Sequence, residues 1–283
     1  MLKPAYIDPY VKAALREDIG AKDLTTSALI STNTQAKADI EFKERGVICG
    51  MDVVERAFRA VNEDLRFLPV AKDGEIAEPG REIAYIEGSA AAILTAERTA
   101  LNFLGRMSGI ATLTREFVDK IKGTTAKIYD TRKTTPNLRI LEKYAVHIGG
   151  AENHRFGLYD QVLIKDNHLK VLRREPLNDI ISRAKRSVLK KTVVGVEVKN
   201  LMELSEVLRS RADYILLDNM KPEEVREAVK LREKAGVRVP LEVSGGVSLE
   251  NVLDYARTGV ERISVGRLTH GAPSVNVSLD IVA

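Results

Sequence analysis

Four cations stand just beyond, or close to, short apolar runs: Arg132 and Lys133 in DTRKTT, Arg155 in GAENHRFGLYD, and Lys165 in QVLIKDNH. The arginine fork grips a carboxylate or phosphate at two points, and lysine supplies a compact charge. A lone basic pair is more often a solvated turn. Four cations gathered together repel one another unless they face a polyanion, so the spacing predicts a substrate with several negative charges. Two acids, Glu197 and Asp218, close two further runs. Each alone reads equally well as a salt-bridge partner for the cations. Together they suit Mg²⁺, held directly or through water, or ribose hydroxyls.

Ser244-Gly245-Gly246 and Gly266 close the last two runs. Tight turns are the plain reading. The chemical reading is a phosphate cradle, because glycine lets backbone N–H groups approach the oxygens beside a helix N-terminus. His154 adjoins Arg155 and either satisfies local structure or bonds a substrate. His168 is expected to order the loop after Lys165, His147 has no assigned role, and Cys49 reads as a packing residue. Neither a Ser-His-Asp nor a Cys-His arrangement is suggested by the spacing.

These residues need elements to position them. From Ala126 onward, short apolar runs alternate with helical segments: AKIYD (126–130), QVLIK (161–165), TVVGVEV (192–198), DYILLD (213–218), PLEVS (240–244) and RISVG (262–266). Strands alternating with helices predict parallel βα units, and six of them predict a barrel or a doubly wound sheet. In a βα barrel the site forms at the carboxyl ends of the strands, where all the residues above lie or closely follow. Asn200 and Ser248 are candidate N-caps, and Gly236 and Gly259 sit where helices should end. The first third patterns differently. It shows a short helix (8–17), strand-like AKADIEF (36–42) and GREIAYIEG (80–88), and a helix over 51–64 between them. A helical tract from about Thr95 to Lys122 joins the two parts, with Gly105 and Gly109 marking close packing or an interruption. VNVSLDIV (275–282) alternates again and is expected to return to the N-terminal part.

Composition narrows the classes. The 283 residues are 44% hydrophobic and 30% charged, with 44 basic against 40 acidic side chains. That small surplus, without a block of like charge, predicts no nucleic-acid partner. One cysteine precludes an intrachain disulfide, and with four histidines and no CxxC pair a structural zinc site is not expected. No apolar stretch is long enough to span a membrane, and no secretory h-region opens the chain, so the expected location is the cytoplasm.

DTRKTTPNLRILEKYAV followed by GGAENHRFGLYDQVLIKDNH closely resembles the central segment of quinolinate phosphoribosyltransferases. EDIGAKDLTT, AERTALNFLGRMSGIAT, VEVKN, ILLDNM, LEVSGGV and ISVGRLTH match in the same order, so the likeness covers nearly the whole chain. Departures are small: Asn137 stands where glycine is more usual, and AENHRF replaces a more glycine-rich version.

The resemblance implies an α/β fold. An N-terminal α/β sandwich domain (1–112, with the tail 271–283 returning to it) would precede a C-terminal incomplete, about six-stranded α/β barrel (113–270). It implies a homodimer, or an assembly of such dimers, in which Arg98 of one subunit reaches the partner's site. It also implies a reaction: quinolinate plus phosphoribosyl pyrophosphate giving nicotinate mononucleotide, pyrophosphate and CO₂ with Mg²⁺, in de novo NAD synthesis. On that pattern Arg98, Arg132, His154, Arg155 and Lys165 would bind the two carboxylates. Lys133, Glu197 and Asp218 would face pyrophosphate, Mg²⁺ and ribose. Ser244, Gly245, Gly246 and Gly266 would cradle the 5′-phosphate. The catalytic set is then Lys133, Lys165, Glu197 and Asp218.

Three other readings compete. One is a relative of the same fold with another acceptor, such as the molybdenum-transport-associated type. Another is a Schiff-base aldolase using Lys165, against which Asp166 beside it favours the charged lysine. The last is a phosphometabolite-binding barrel without catalysis.

Overall fold

In the computed structural model, which describes residues 2–282, the alternation of the first third becomes strands. The chain runs α1 (Pro4–Ile19), α2 (Leu24–Leu29), β1 (Gln35–Phe42), β2 (Gly46–Val47), α3 (Met51–Val61), β3 (Arg66–Pro69), β4 (Ile76–Ala77), β5 (Arg81–Ser89) and α4 (Ala90–Lys120). It continues with β6 (Lys127–Tyr129), α5 (Arg139–Ile148), β7 (Gln161–Ile164), α6 (Asp166–Val171), α7 (Leu177–Arg186), β8 (Val193–Val198) and α8 (Leu201–Val207). Then come β9 (Tyr214–Asp218), α9 (Pro222–Lys234), β10 (Leu241–Ser244), α10 (Val252–Ala256), β11 (Arg262–Ser264), α11 (Arg267–His270) and β12 (Val277–Val282).

One unit holds the residues up to Arg115, Thr134–Gly150 and those from Leu268 onward. Its sheet has the order β12-β1-β5-β3 with antiparallel neighbours, so the last strand pairs with the first. Ala38, Ile40 and Phe42 on one face of β1 are fully buried, as the alternation requires. Helix α3 starts where Asp73 Oδ1 accepts the backbone N–H groups of Gly50 and Met51, at 3.0 and 3.1 Å. It buries Val53, Val54, Ala57 and Phe58, and Phe58 stacks on Phe67 with ring centroids 6.4 Å apart. Each such side chain contributes about 1.5–3 kcal/mol by burial.

Gly105 and Gly109 mark close packing, not an interruption, since α4 is continuous. A Cβ at Gly109 would lie 1.8 Å from the Pro273 carbonyl oxygen, so the 273–275 segment crosses the bare helix backbone. The segment 134–150, expected within 113–270, clusters with the first unit instead. Its buried Glu142 accepts from Arg106 Nη2 on α4 at 2.7 Å and from Thr135 Oγ1 at 2.8 Å. Neither partner was legible as such from spacing.

The other unit comprises Glu116–Lys133 and Ala151–Arg267. Six parallel strands form a sheet in the order β6-β11-β10-β9-β8-β7. This is the incomplete α/β barrel: no ladder pairs β6 with β7 among the described residues. Glu152 instead bridges onto β6, donating its N–H to Ile128 O at 2.9 Å and accepting the Asp130 N–H at 3.2 Å. Strand β8 is buried almost throughout, as parallel strands covered by helices must be. Asn200 caps α8, its side chain accepting the Glu203 N–H at 2.9 Å. Ser248 does not cap a helix as expected. Asn251 folds back to accept the Ser248 N–H, and α10 starts only at Val252.

Candidate active site

The strand ends of the second unit surround a cavity of about 490 Å³. Arg132 and Lys133 enter after β6, Lys165 after β7, Asp218 from β9, and Ser244, Gly245 and Gly246 from the end of β10. His154 and Arg155 reach it from the loop that Glu152 fastens to β6. Leu163 and Leu216 add apolar wall, and Asn219, Glu242 and Ser264 complete the polar lining. The lining is mainly polar and cationic, with Leu163 and Leu216 as its apolar side chains.

The cations crowd. Arg155 is buried, and burial first, then the Arg132 charge, push its guanidinium below the usual range. Its Nη1 donates to the Gln161 carbonyl at 3.2 Å. The loop beyond is fastened by Asp160, which accepts the N–H groups of Phe156 and Gly157 at 2.6 and 2.9 Å. Although burial pushes Asp160 up, those N–H groups hold it below the ordinary carboxylate range. The Lys165 Nζ lies 3.1 Å from Glu197 Oε2. Glu197 is buried behind that lysine and is not part of the cavity wall. Asp166 does not hold the Lys165 charge. It pairs with Lys199 at 2.9 Å and Lys170 at 3.2 Å, and the Lys199 bond foremost lowers its carboxyl to about 2. A Schiff-base lysine needs a desolvated or like-charge setting that lowers its basicity, and the carboxylate of Glu197 at 3.1 Å from Nζ is the opposite of that, which weighs against the aldolase reading.

His168 Nδ1 accepts the Lys165 backbone N–H at 2.9 Å, so it does order that turn. His154 is tied up differently from a simple substrate ligand. Its Nδ1 accepts the Arg155 N–H at 2.7 Å, and its Nε2 lies 3.2 Å from Tyr214 Oη and 3.3 Å from Glu242 Oε1. With both nitrogens engaged, orientation of Arg155 is a better role for it than a direct bond to substrate. Glu242, Tyr214 and Arg262 lie inside the barrel and escaped the sequence reading. Their only signal was polarity at positions where strands β9 to β11 should be apolar.

Other expected site residues lie apart. Gly266 is off the cavity wall, two residues past the end of β11. Arg98 belongs to the first unit, exposed on α4 and 3.7 Å from Glu97. The helices after β10 and β11 have only five and four residues, so the phosphate turn has little helix dipole behind it. Cys49 is fully buried, and burial pushes its thiol up, consistent with packing.

Family models match both halves of the chain. Residues 23–108 fit the quinolinate phosphoribosyl transferase N-terminal domain, and residues 110–280 fit its C-terminal domain. The chain belongs to the quinolinate phosphoribosyltransferase family. A Methanocaldococcus jannaschii relative described as a probable nicotinate-nucleotide pyrophosphorylase (carboxylating) is 43% identical over 288 residues, covering 100% of this chain and 99% of that protein. A Nicotiana tabacum relative, quinolinate phosphoribosyltransferase (decarboxylating) 1b, is 37% identical over 96% of this chain and 81% of its own length. The crystal structure of NadC from Streptococcus pyogenes superposes with a TM-score of 0.93 at 38% identity, covering 100% of this chain and 99% of that one. Asn137 has a left-handed φ of +66°, a conformation that glycine enters without steric cost and asparagine tolerates.

The donor set bears on Mg²⁺. Asp218 is on the wall and Glu197 behind Lys165, but the cavity offers no group of three ligating side chains among the described residues; that grouping occurs at Asp39, Glu41 and Asp280. Two carboxylates suit a cation that takes most of its ligands from water and substrate phosphates.

Proposed function

We propose that this cavity transfers the phosphoribosyl group of phosphoribosyl pyrophosphate to quinolinate, with decarboxylation to nicotinate mononucleotide. The convergence of Arg132, Lys133, Arg155 and Lys165 on one cavity that the Ser244–Gly246 turn also lines carries the reading. The chain is a decarboxylating phosphoribosyltransferase of NAD biosynthesis. Arg132, Arg155 and Lys165 hold the two carboxylates of the acid, with its ring against Leu163 and Leu216. The Ser244–Gly246 turn takes the 5′-phosphate, and Lys133 faces the pyrophosphate. Asp218 on the wall would hold Mg²⁺, with Glu197 reaching it only through water, and the ion would supply charge neutralisation for the pyrophosphate.

As the ribosyl C1–O bond breaks, positive charge develops on the ribose. The pyridine nitrogen attacks C1. The resulting pyridinium withdraws the electrons of the adjacent C–carboxylate bond, CO₂ leaves, and a proton replaces it. These side chains act by position and charge, and no covalent enzyme intermediate is needed. An acceptor screen across pyridine and aromatic acids tests this. Turnover with quinolinate alone supports it, and a preference for another acid would assign the cavity to a different acceptor.

The assembly belongs to the same reading. A homodimer with Arg98 supplied across its interface would add a further cation to the acid. Mixing Arg98→Ala with Arg132→Ala subunits should restore roughly one quarter of wild-type activity, because half the dimers then carry one intact site of two. No restoration would leave Arg98 outside the partner's site. No helix among the described residues is long and apolar enough to cross a membrane. With the single cysteine, this supports a cytoplasmic location.

A further inference from the structure

A buried polar chain runs beneath Arg155. Glu242 on β10 is fully buried. Its Oε1 accepts a 2.6 Å bond from Ser264 Oγ and lies 3.3 Å from His154 Nε2. Its Oε2 lies 3.1 Å from Nε of Arg262. The Arg262 guanidinium in turn sits over the rings of Tyr129 and Tyr214, 4.3 and 4.6 Å from their centroids. On the other side of the imidazole, Nδ1 accepts the Arg155 backbone N–H at 2.7 Å, while the His154 backbone N–H donates to Asp130 Oδ1 at 2.7 Å. A ring nitrogen that accepts an N–H carries no proton. The neutral ring's proton is therefore on Nε2, facing the carboxylate, which can only accept.

We propose that Glu242 is a positioning residue for the acid substrate: its carboxylate locks His154 in the Nε2–H form, and His154 Nδ1 then anchors the backbone that aims Arg155 into the cavity. The inference rests on Arg155 binding the acid. It also explains why this strand carries a charge where the barrel interior should be apolar. Glutamine could not replace it. One glutamine oxygen can serve His154 and Ser264, but the neutral amide then loses the 3.1 Å ion pair with Arg262, whose Nε has no hydrogen bond to compensate, and turns N–H₂ toward a guanidinium that can only donate. Flipped, the amide presents that clash to His154.

Glu242→Gln should raise KM for quinolinate at least about tenfold, the effect of one lost charge-assisted bond, and leave KM for phosphoribosyl pyrophosphate within about twofold. Adding Arg262→Gln gives the amide a carbonyl partner and should recover most of the quinolinate KM. A merely structural Glu242 would instead change both KM values and kcat together, without recovery, and would overturn the proposal. A second measurement reads the tautomer in the wild-type protein itself. Nitrogen-15 NMR of the wild-type histidines, with His154 assigned by its loss in His154→Gln, should show Nε2 protonated and Nδ1 bare. A protonated Nδ1 overturns the inference outright. An unchanged quinolinate KM in Arg155→Lys would instead remove the assignment of Arg155, so the two failures are distinguishable.

Discussion

Gly245→Ala separates phosphate binding from backbone strain. Gly245 has φ +97°, and a Cβ there would lie 2.2 Å from Asn219 Oδ1. Its neighbour Gly246 has φ +67° with nothing within 4 Å of such a Cβ. The left-handed backbone costs alanine about 1–2 kcal/mol at either position, so both variants should lose similar stability. Only Gly245→Ala also displaces Asn219. That residue donates its backbone N–H to the Ser244 carbonyl at 2.8 Å and its Nδ2 to Asp218 Oδ1 at 2.9 Å. Moving it disturbs the turn and the carboxylate together. A hydrogen bond to a charged group is worth about 1.5–3 kcal/mol, which is about 10–150-fold in affinity. We expect Gly245→Ala to raise KM for phosphoribosyl pyrophosphate by about that factor, and Gly246→Ala by less than about threefold. Initial rates at saturating quinolinate, with thermal unfolding in parallel, read both effects. Equal KM values for the two variants, or a change confined to quinolinate, would refute the phosphate assignment.

Other residues give further tests. Arg132→Ala should lose about 3–4 kcal/mol of transition-state stabilisation, roughly 150- to 900-fold in kcat/KM, with native circular dichroism; near-normal activity would remove Arg132 from the site. Arg106→Met strands the buried Glu142 carboxylate and should lower stability by about 3 kcal/mol, the low end for a broken buried pair because Arg106 is partly exposed. Denaturant midpoints measure it, and an unchanged midpoint would make the pair incidental. Asp166 is held down to about 2, chiefly by Lys199. A lowered carboxyl stabilises above its unfolded value of about 4 and loses that contribution as pH falls through about 2. Its carboxyl NMR titration should therefore have a midpoint near 2 that rises in Lys199→Ala, and a midpoint near 4 in the wild type would contradict the pairing.

The six strands were legible because each is a short apolar run with a polar or glycine end, and parallel strands buried on both faces must read that way. The cations were legible for the same reason, since they lie at or near those ends. Helix α7 was harder: its buried Leu177, Ile180 and Ile181 are set among arginines and lysines that face solvent. The placement of 134–150 turned on Glu142, whose partners lie 36 residues away on α4 and seven residues back at Thr135. Glu242, Tyr214 and Arg262 were missed because their partners are one another and His154, through ion pairs and ring contacts across separate strands that only the three-dimensional structure brings together. Gly195 belongs with them, since a Cβ there would lie 2.2 Å from the Tyr214 ring.

The most direct test is to incubate the purified protein with quinolinate, phosphoribosyl pyrophosphate and Mg²⁺ and to follow nicotinate mononucleotide and CO₂ together. Equal amounts of both, lost when either substrate is omitted, are the predicted result. A folded protein that forms neither would contradict the assignment of quinolinate to this cavity.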